Sequence, residues 1–449
     1  MKYIANRKFY RNIFFIVIPI IGQFIIQSSL NFIDNFMVSG MGEEAVAGVA
    51  IANQYYFLFF PVVTSICTGA AMFTAQYYGA KKFDKLKQIF GIKLLFSSLV
   101  SIIFIIIGYL FHNEIILFFN KDSAETISYA NGYLLIMIIS YLPFALTQAY
   151  TFLLRPIGKA KIPFLISGFS MLLNIVLNYG LIYGNLGMPE MGVAGAALGT
   201  VISRYIELIL FMVVYARLDL PFKGKIIEYF KFTKEILRKV FSKVGILFFN
   251  EILFTTSFVL IFKTFSTRGI IAISAINIAS IIFRYMIILM NGTGTATAIL
   301  VGNSLGAGEF QKAQKNADYL LGYAVMIGLV VMMITVLAAF IIPSLYKGLE
   351  LETRELMRTL ILVYAFTAPL IALTRIPFFV LRSGGRVKEV FMLDAVFMWL
   401  VKVPVALSLA YLTELNIVWL VVGVESTRLL NAFISLYFYK KKQWVNSFE

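Results

Sequence analysis

The sequence predicts an all-α polytopic membrane protein, with twelve transmembrane helices in two pseudo-symmetric six-helix bundles around a central cleft. Three observations predict it. First, the 449 residues are 60% hydrophobic and only 14% charged, which is too apolar a chain to hide its surface in a water-soluble core. Second, runs of about 20 or more apolar residues recur along the whole length, each long enough to cross about 30 Å of hydrocarbon as a helix. Third, stretches of the first half return some 227 residues later.

Taken in order, the predicted spans are 13–38, 50–78, 92–112, 129–154, 162–184, 193–216, 241–265, 271–302, 318–346, 358–381, 389–411 and 416–438. The first run follows a basic tail, MKYIANRKFYRN. It is too long for the apolar region of a signal peptide and has no small-residue cleavage site, so it reads as a retained helix. Cys67 is the only cysteine and His112, on an outer loop, the only histidine, so neither an intrachain disulfide nor a His/Cys zinc cluster is available.

Placement of the charges matters more than their sum of +16. Most of the 39 Lys and Arg fall in the two tails and in the loops that follow even-numbered helices. The positive-inside rule then puts both termini in the cytoplasm of a cell that the Lys-, Ile-, Asn- and Phe-rich amino-acid usage suggests is a prokaryote, with the protein in its cytoplasmic membrane. Solvent and anionic lipid heads account for these bases without any nucleic acid.

The repeat is visible in "GAKKFDKLKQ" (79–88) against "GAGEFQKAQK" (306–315), and in "LRPIGKAKIPF" (154–164) against "LRSGGRVKEVF" (381–391), both 227 residues apart. An offset of 224 aligns Gly199 and Arg204 with Gly423 and Arg428. Because each repeat holds an even number of helices, both run in the same sense through the bilayer. The expected division is an N-terminal lobe, 1–220, a linker, 221–240, and a C-terminal lobe, 241–449. Within the linker, Ile226, Ile227, Phe230, Ile236, Leu237 and Val240 lie at roughly helical spacing. That spacing suggests a basic amphipathic helix at the cytoplasmic headgroups, or else a plain tether. Two lobes around a cleft are what alternating access requires.

Asp34, in "NFIDNFMVSG", sits where a carboxylate costs from about 2.5 kcal/mol upward, so it needs partners, a cation or a proton. Asn174 and Asn178 in "LLNIVLNYG" share a helix face at i and i+4, and Thr200 opens the sixth span. Together the four offer one negative charge and three neutral oxygens, a set suited to a small hard cation such as sodium. The other reading is interhelical hydrogen bonding alone. The repeat partners Val401 and Val405 are apolar, so the fold itself does not demand the asparagines.

At family level, "NFIDNFMVSGMG", "TGAAMFTAQYYGA", "LRPIGKAKIP", "NIVLN" and "GVAGAALGT", in that order, resemble the multidrug and toxic compound extrusion family over the whole chain. The resemblance implies an antiporter that expels organic, often cationic, compounds in exchange for sodium ions or protons, without other cofactors and without enzymatic activity. It implies cation-site roles for Asp34, Asn174 and Thr200. Asn178 stands where many relatives carry a second aspartate, which leaves Asp34 as the sole acid. The expected partners are a small-molecule substrate and membrane lipids, and the chain is expected to act as a monomer.

Further polar residues sit inside spans. Glu251 could bind a cationic substrate or a second cation, or could pair with Arg284, Arg375 or Lys402. Arg204 with Glu207, and Glu425 with Arg428, can each pair at i and i+3. Asp394 has no evident partner in the sequence. Pro19 can kink the first helix, Pro369 and Pro377 can break the tenth, and "NGTGTATA" (291–298) reads as a close-packing seam. The rival reading is a flippase for lipid-linked oligosaccharides or polysaccharides, for which Arg284, Arg375 and Lys402 would meet an anionic head.

Overall fold

The computed structural model of the protein describes residues 3–119, 123–346 and 350–448, which are helical with no strand among them. Met1 and Lys2 of the basic tail lie outside the described residues. In chain order the helices are α1 (Arg7–Val38), α2 (Glu43–Gly79), α3 (Phe83–Leu110), α4 (His112–Phe119), α5 (Ala124–Met137), α6 (Tyr141–Leu154), α7 (Lys161–Tyr183) and α8 (Gly192–Arg217). There follow α9 (Ile226–Tyr229), α10 (Lys234–Ser266), α11 (Ile270–Gly306), α12 (Phe310–Leu345), α13 (Leu351–Ser383), α14 (Val387–Phe391), α15 (Val403–Tyr411) and α16 (Ile417–Lys440). Among the described residues they supply 12 spans long and apolar enough to cross a membrane.

The repeat extends to the helix ends. Helices α1 and α10 begin at Arg7 and Lys234, α2 and α11 end at Gly79 and Gly306, and α3 and α12 begin at Phe83 and Phe310, each pair 227 residues apart. Several helices start earlier than their apolar runs, because backbone hydrogen bonding continues past the point where the side chains stop being apolar.

Where helices break, proline chemistry decides. The fourth span pauses in a 3-10 turn at Ile138–Ser140 between α5 and α6. Pro143 has no N–H to give the carbonyl four residues earlier and its ring crowds that group. The eleventh span widens into π-helix over Met392–Val396 and Met398–Lys402, just before Pro404 in the first turn of α15. Pro369 and Pro377, expected to break the tenth helix, lie inside an unbroken α13, and Pro19 lies inside a continuous α1. His112 is not on a loop but opens α4, where its Nδ1 lies 2.9 Å from Asn131 Oδ1.

Segment 221–240 is not one amphipathic helix. A single turn, α9, is followed by irregular residues and then by the start of α10. Phe222, Tyr229, Ile236 and Val240 are buried. Tyr229 takes the phenol of Tyr215 at 2.8 Å, and a side chain at Gly91 would collide with the Tyr229 carbonyl, so α9 lies directly on α3. Glu228 pairs with Lys87 at 2.9 Å, and that hydrogen bond holds its carboxyl below the ordinary value.

Two compact units emerge: Gly22–Tyr78 with Lys82–Val244, and Met1–Ile21 with Gly79–Lys81 and Gly245–Glu449. The first is built around stacked aromatics, with Phe59 and Tyr141 at 4.2 Å and 8° and with Tyr55, Tyr56, Phe104 and Phe144 around them. This cluster packs Val38, Val193, Ala196 and Ala197, so it braces the end of α1 and the start of α8. In the second unit the 291–298 stretch is close-packed. Gly292 and Gly294 leave no room for a side chain beside Ile21 and Phe379. Helices in lipid associate by such close approach rather than by escape from water.

Candidate functional site

Glycine spacing in "GVAGAALGT" lets α8 lie against α7. A Cβ on Gly195 would strike the Leu181 carbonyl, and one on Gly199 would strike Asn178 Oδ1. That contact brings Thr200 beside Asn174 and Asn178, and α1 supplies Asp34 from the third side. All four side chains are buried, Asp34 at 3% exposure. Among the neighbouring positions of α1, the side chains of Asn31, Phe32 and Asn35 lie outside the described ones.

Asn178 Nδ2 donates to Asp34 Oδ1 at 2.6 Å, and Thr200 Oγ1 donates to Asp34 Oδ2 at 3.3 Å. Asn174 Nδ2 in turn donates to Thr200 Oγ1 at 3.1 Å. Both carboxylate oxygens thus accept, an arrangement that suits the ionised form. The four residues chosen from sequence do meet, with one difference in detail. Asn178 turns its amide nitrogen, not its oxygen, toward the carboxylate, and its Oδ1 is buried with no hydrogen-bond partner among the described residues. A buried acceptor without a donor costs about 1–3 kcal/mol. This oxygen lies two bonds from the nitrogen that donates to the carboxylate, so rotation of the amide would add it to Asp34, Asn174 and Thr200 as a set of oxygens that could hold a small cation. By the repeat offset, Asp34 corresponds to Ile261, which is buried and apolar.

A second polar layer in the same unit was not foreseen. Arg155 is buried and donates to Gln23 Oε1 at 2.7 Å, and Gln23 donates to Ser167 at 3.2 Å. Ser167 donates to Glu207 at 2.8 Å, and Glu207 also takes Arg204 at 2.8 Å as its spacing predicted. Its repeat image in the other unit is Asn250 for Gln23, Asp394 for Ser167, Arg382 for Arg155 and Asn431 for Glu207.

There Asn250 does two jobs. Its Nδ2 donates to Asp394 Oδ2 at 3.1 Å, and its Oδ1 accepts from the Ala395 amide, which the π turn leaves open, at 3.2 Å. Asn431 donates to the Leu393 carbonyl at 2.9 Å. Arg375 approaches Asp394 at 3.6 Å, and Glu425 holds Lys402 at 2.8 Å on one oxygen and Arg428 on the other. Arg375, Asp394, Lys402 and Arg428 line one pocket with a phenylalanine wall.

The pairing of Glu251 with Arg284, Arg375 or Lys402 does not form among the described residues. Arg284 is exposed, Arg375 and Lys402 have other acids, and Glu251 makes no hydrogen bond or ion pair among the described residues. Apart from the two i, i+3 pairs, these contacts join residues 19 to 145 positions apart. The available signal was the offset itself, which carries Gln23 onto Asn250 and Ser167 onto Asp394.

A family model described as MatE matches residues 19–180 and 247–407, one block in each repeat. The chain is 27% identical over 444 residues to "Probable multidrug resistance protein YoeA" of Bacillus subtilis, covering 97% of this chain and 95% of that one. It is also 27% identical over 409 residues to "Probable multidrug resistance protein NorM" of Halalkalibacterium halodurans, covering 89% and 87%. A crystal structure of MATE in the straight conformation superimposes with a TM-score of 0.87 at 18% identity, covering 97% of this chain and 96% of that one.

Proposed function

Because the chain belongs to the MatE family, whose members are multi-pass membrane transporters and not enzymes, we propose that it expels organic, cationic or amphiphilic compounds across the cell membrane of a prokaryote. Export is exchanged for inward movement of a sodium ion or a proton. The names of the multidrug resistance relatives support the substrate class.

The single observation that carries the coupling is the buried Asp34 with both oxygens occupied by neutral donors and an unpartnered amide oxygen beside it. In this state the charge of Asp34 is held by Asn178 and Thr200. A cation arriving at the carboxylate takes over that role, so the Asn178 amide is released to turn its oxygen inward, and Asn174 follows through Thr200. The ion contributes charge neutralisation, and the chain's own residues convert it into a rearrangement between α1, α7 and α8. Helix α1 carries Asp34 fifteen residues beyond Pro19, where its backbone lacks one hydrogen bond and can bend at low cost. Loading and unloading would therefore bias the helix between two shapes, which is the bistable element an exchanger needs.

Sealed inverted vesicles test the reading. Ethidium export, read as gradient-driven uptake into the vesicle lumen, is expected in wild type and lost in Asp34→Asn, a variant that keeps the site's size while removing its charge and one of its two acceptors. Undiminished gradient-driven efflux by the variant would end the proposal. Separate sodium and pH gradients in the same assay choose the ion.

A further inference from the structure

The charges around the pocket of the Gly245–Glu449 unit do not cancel. Its lining includes the bases Arg375, Lys402 and Arg428 with the acid Asp394. Among the described residues the only other acid on these bases is Glu425, whose two oxygens are shared between Lys402 and Arg428. Three bases therefore face two acids, and Arg375 reaches Asp394 Oδ1 at only 3.6 Å while Asn250 takes Oδ2. The next charged groups in electrostatic range, Glu251 and Arg382, add one of each sign and leave the excess unchanged. Lys402 is buried and Arg375 and Arg428 are half-buried, and an uncompensated positive charge in such a place is costly and is relieved by an anion.

The repeat shows that this charge is not there to hold the fold together. By the same offsets, Arg428 is kept as Arg204, but Arg375 corresponds to Gln148, Asp394 to Ser167, Lys402 to Ile175 and Glu425 to Val201, so the first half packs the same architecture without these four. The pocket also has an apolar wall: Phe254 and Phe378 flank Arg375, whose guanidinium carbon lies 5.2 Å and 5.6 Å from their ring centres. The widened π turn that carries Asp394 is held open by Asn250 and Asn431, so the Asp394 side of the cavity is a built feature of the eleventh span, and a second π turn carries Lys402.

We propose that this pocket binds an organic monoanion, a carboxylate or phosphate head on a flat apolar body, with the head between Arg375 and Lys402 and the body on Phe254 and Phe378. The site is separate from the Asp34 cluster and its occupancy requires no ion gradient, so it stands or falls independently of the exchange reading.

Equilibrium binding to the full-length protein in phosphatidylcholine nanodiscs provides the test, with naphthalene-2-carboxylate, its neutral amide and naphthylmethylammonium as probes. The carboxylate is expected to bind about tenfold or more tightly than the amide, as hydrogen bonds to a charged partner allow, and the ammonium more weakly still. Lys402→Met removes the excess charge while leaving Glu425 paired with Arg428, and should erase the carboxylate's advantage. Glu425→Gln enlarges the excess and should strengthen carboxylate binding. Monodisperse elution and an unchanged helical spectrum identify the variants that remain folded, and the opposite signs keep the two informative together. Equal affinity of carboxylate and amide for the wild type, or full carboxylate preference in folded Lys402→Met, would overturn the proposal. Phosphatidylglycerol added to the discs tells the source: competition identifies a bilayer lipid as the occupant, and an unchanged isotherm a dissolved anion, the site standing in both cases.

Discussion

Asn178 links the two ways of reading the acidic cluster, because its donor face serves the carboxylate now and its acceptor face is idle. If the Asn178 and Thr200 donors exist to hold the charge of Asp34, their value depends on that charge. Asn178→Leu in the wild-type background should lower stability by about 1–3 kcal/mol, and the same change in an Asp34→Asn background by clearly less. Thermal unfolding of the four proteins in detergent gives the coupling directly. Strict additivity would mean that the asparagine is ordinary packing. These four residues were legible in the sequence because i, i+4 spacing is local and because an intramembrane acid is conspicuous. The orientation of one amide was not, since it depends on Gly199 lying against Asn178 across two helices.

At the level of elements, the eleventh span shows what hydropathy leaves out. Its length and apolarity announced a helix, but the first of the two π turns ahead of Pro404 depends on partners outside the span. Asn250 from α10 accepts the freed Ala395 amide, and Asn431 from α16 donates to the Leu393 carbonyl. Asn250→Leu should therefore cost about 2 kcal/mol or more, because it orphans a backbone amide and a carboxylate oxygen at once. Hydrogen exchange by mass spectrometry should show the rise confined to 392–402, and exchange unchanged in that segment would show that the π turns hold without the pin. The linker teaches the complementary lesson. Its apolar spacing was real, since Ile236 and Val240 are buried, yet it reflects contact with α3 and its neighbours rather than a helix lying on lipid. Periodicity reports that a face is covered and does not say by what.

For the molecule as a whole, the duplication sets the topology, and charge sets its direction. A parallel repeat places matched loops on the same side of the membrane, whereas an inverted repeat would place them on opposite sides. Asp84 and Gln311 are matched at an offset of 227, and Glu190 and Glu414 at 224, and all four are exposed. Cys67 is fully buried, so the native chain offers a quiet background for single introduced cysteines. Asp84→Cys and Gln311→Cys should react with a membrane-impermeant maleimide only after cells are opened, because their loops carry the basic residues that stay in the cytoplasm. Glu190→Cys and Glu414→Cys should react in intact cells. Labelling of Asp84→Cys and Gln311→Cys from opposite sides would refute the parallel arrangement. Both labelled from outside would preserve the repeat and reverse the membrane orientation, and with it the direction in which the Asp34 site could be loaded by the ion gradient.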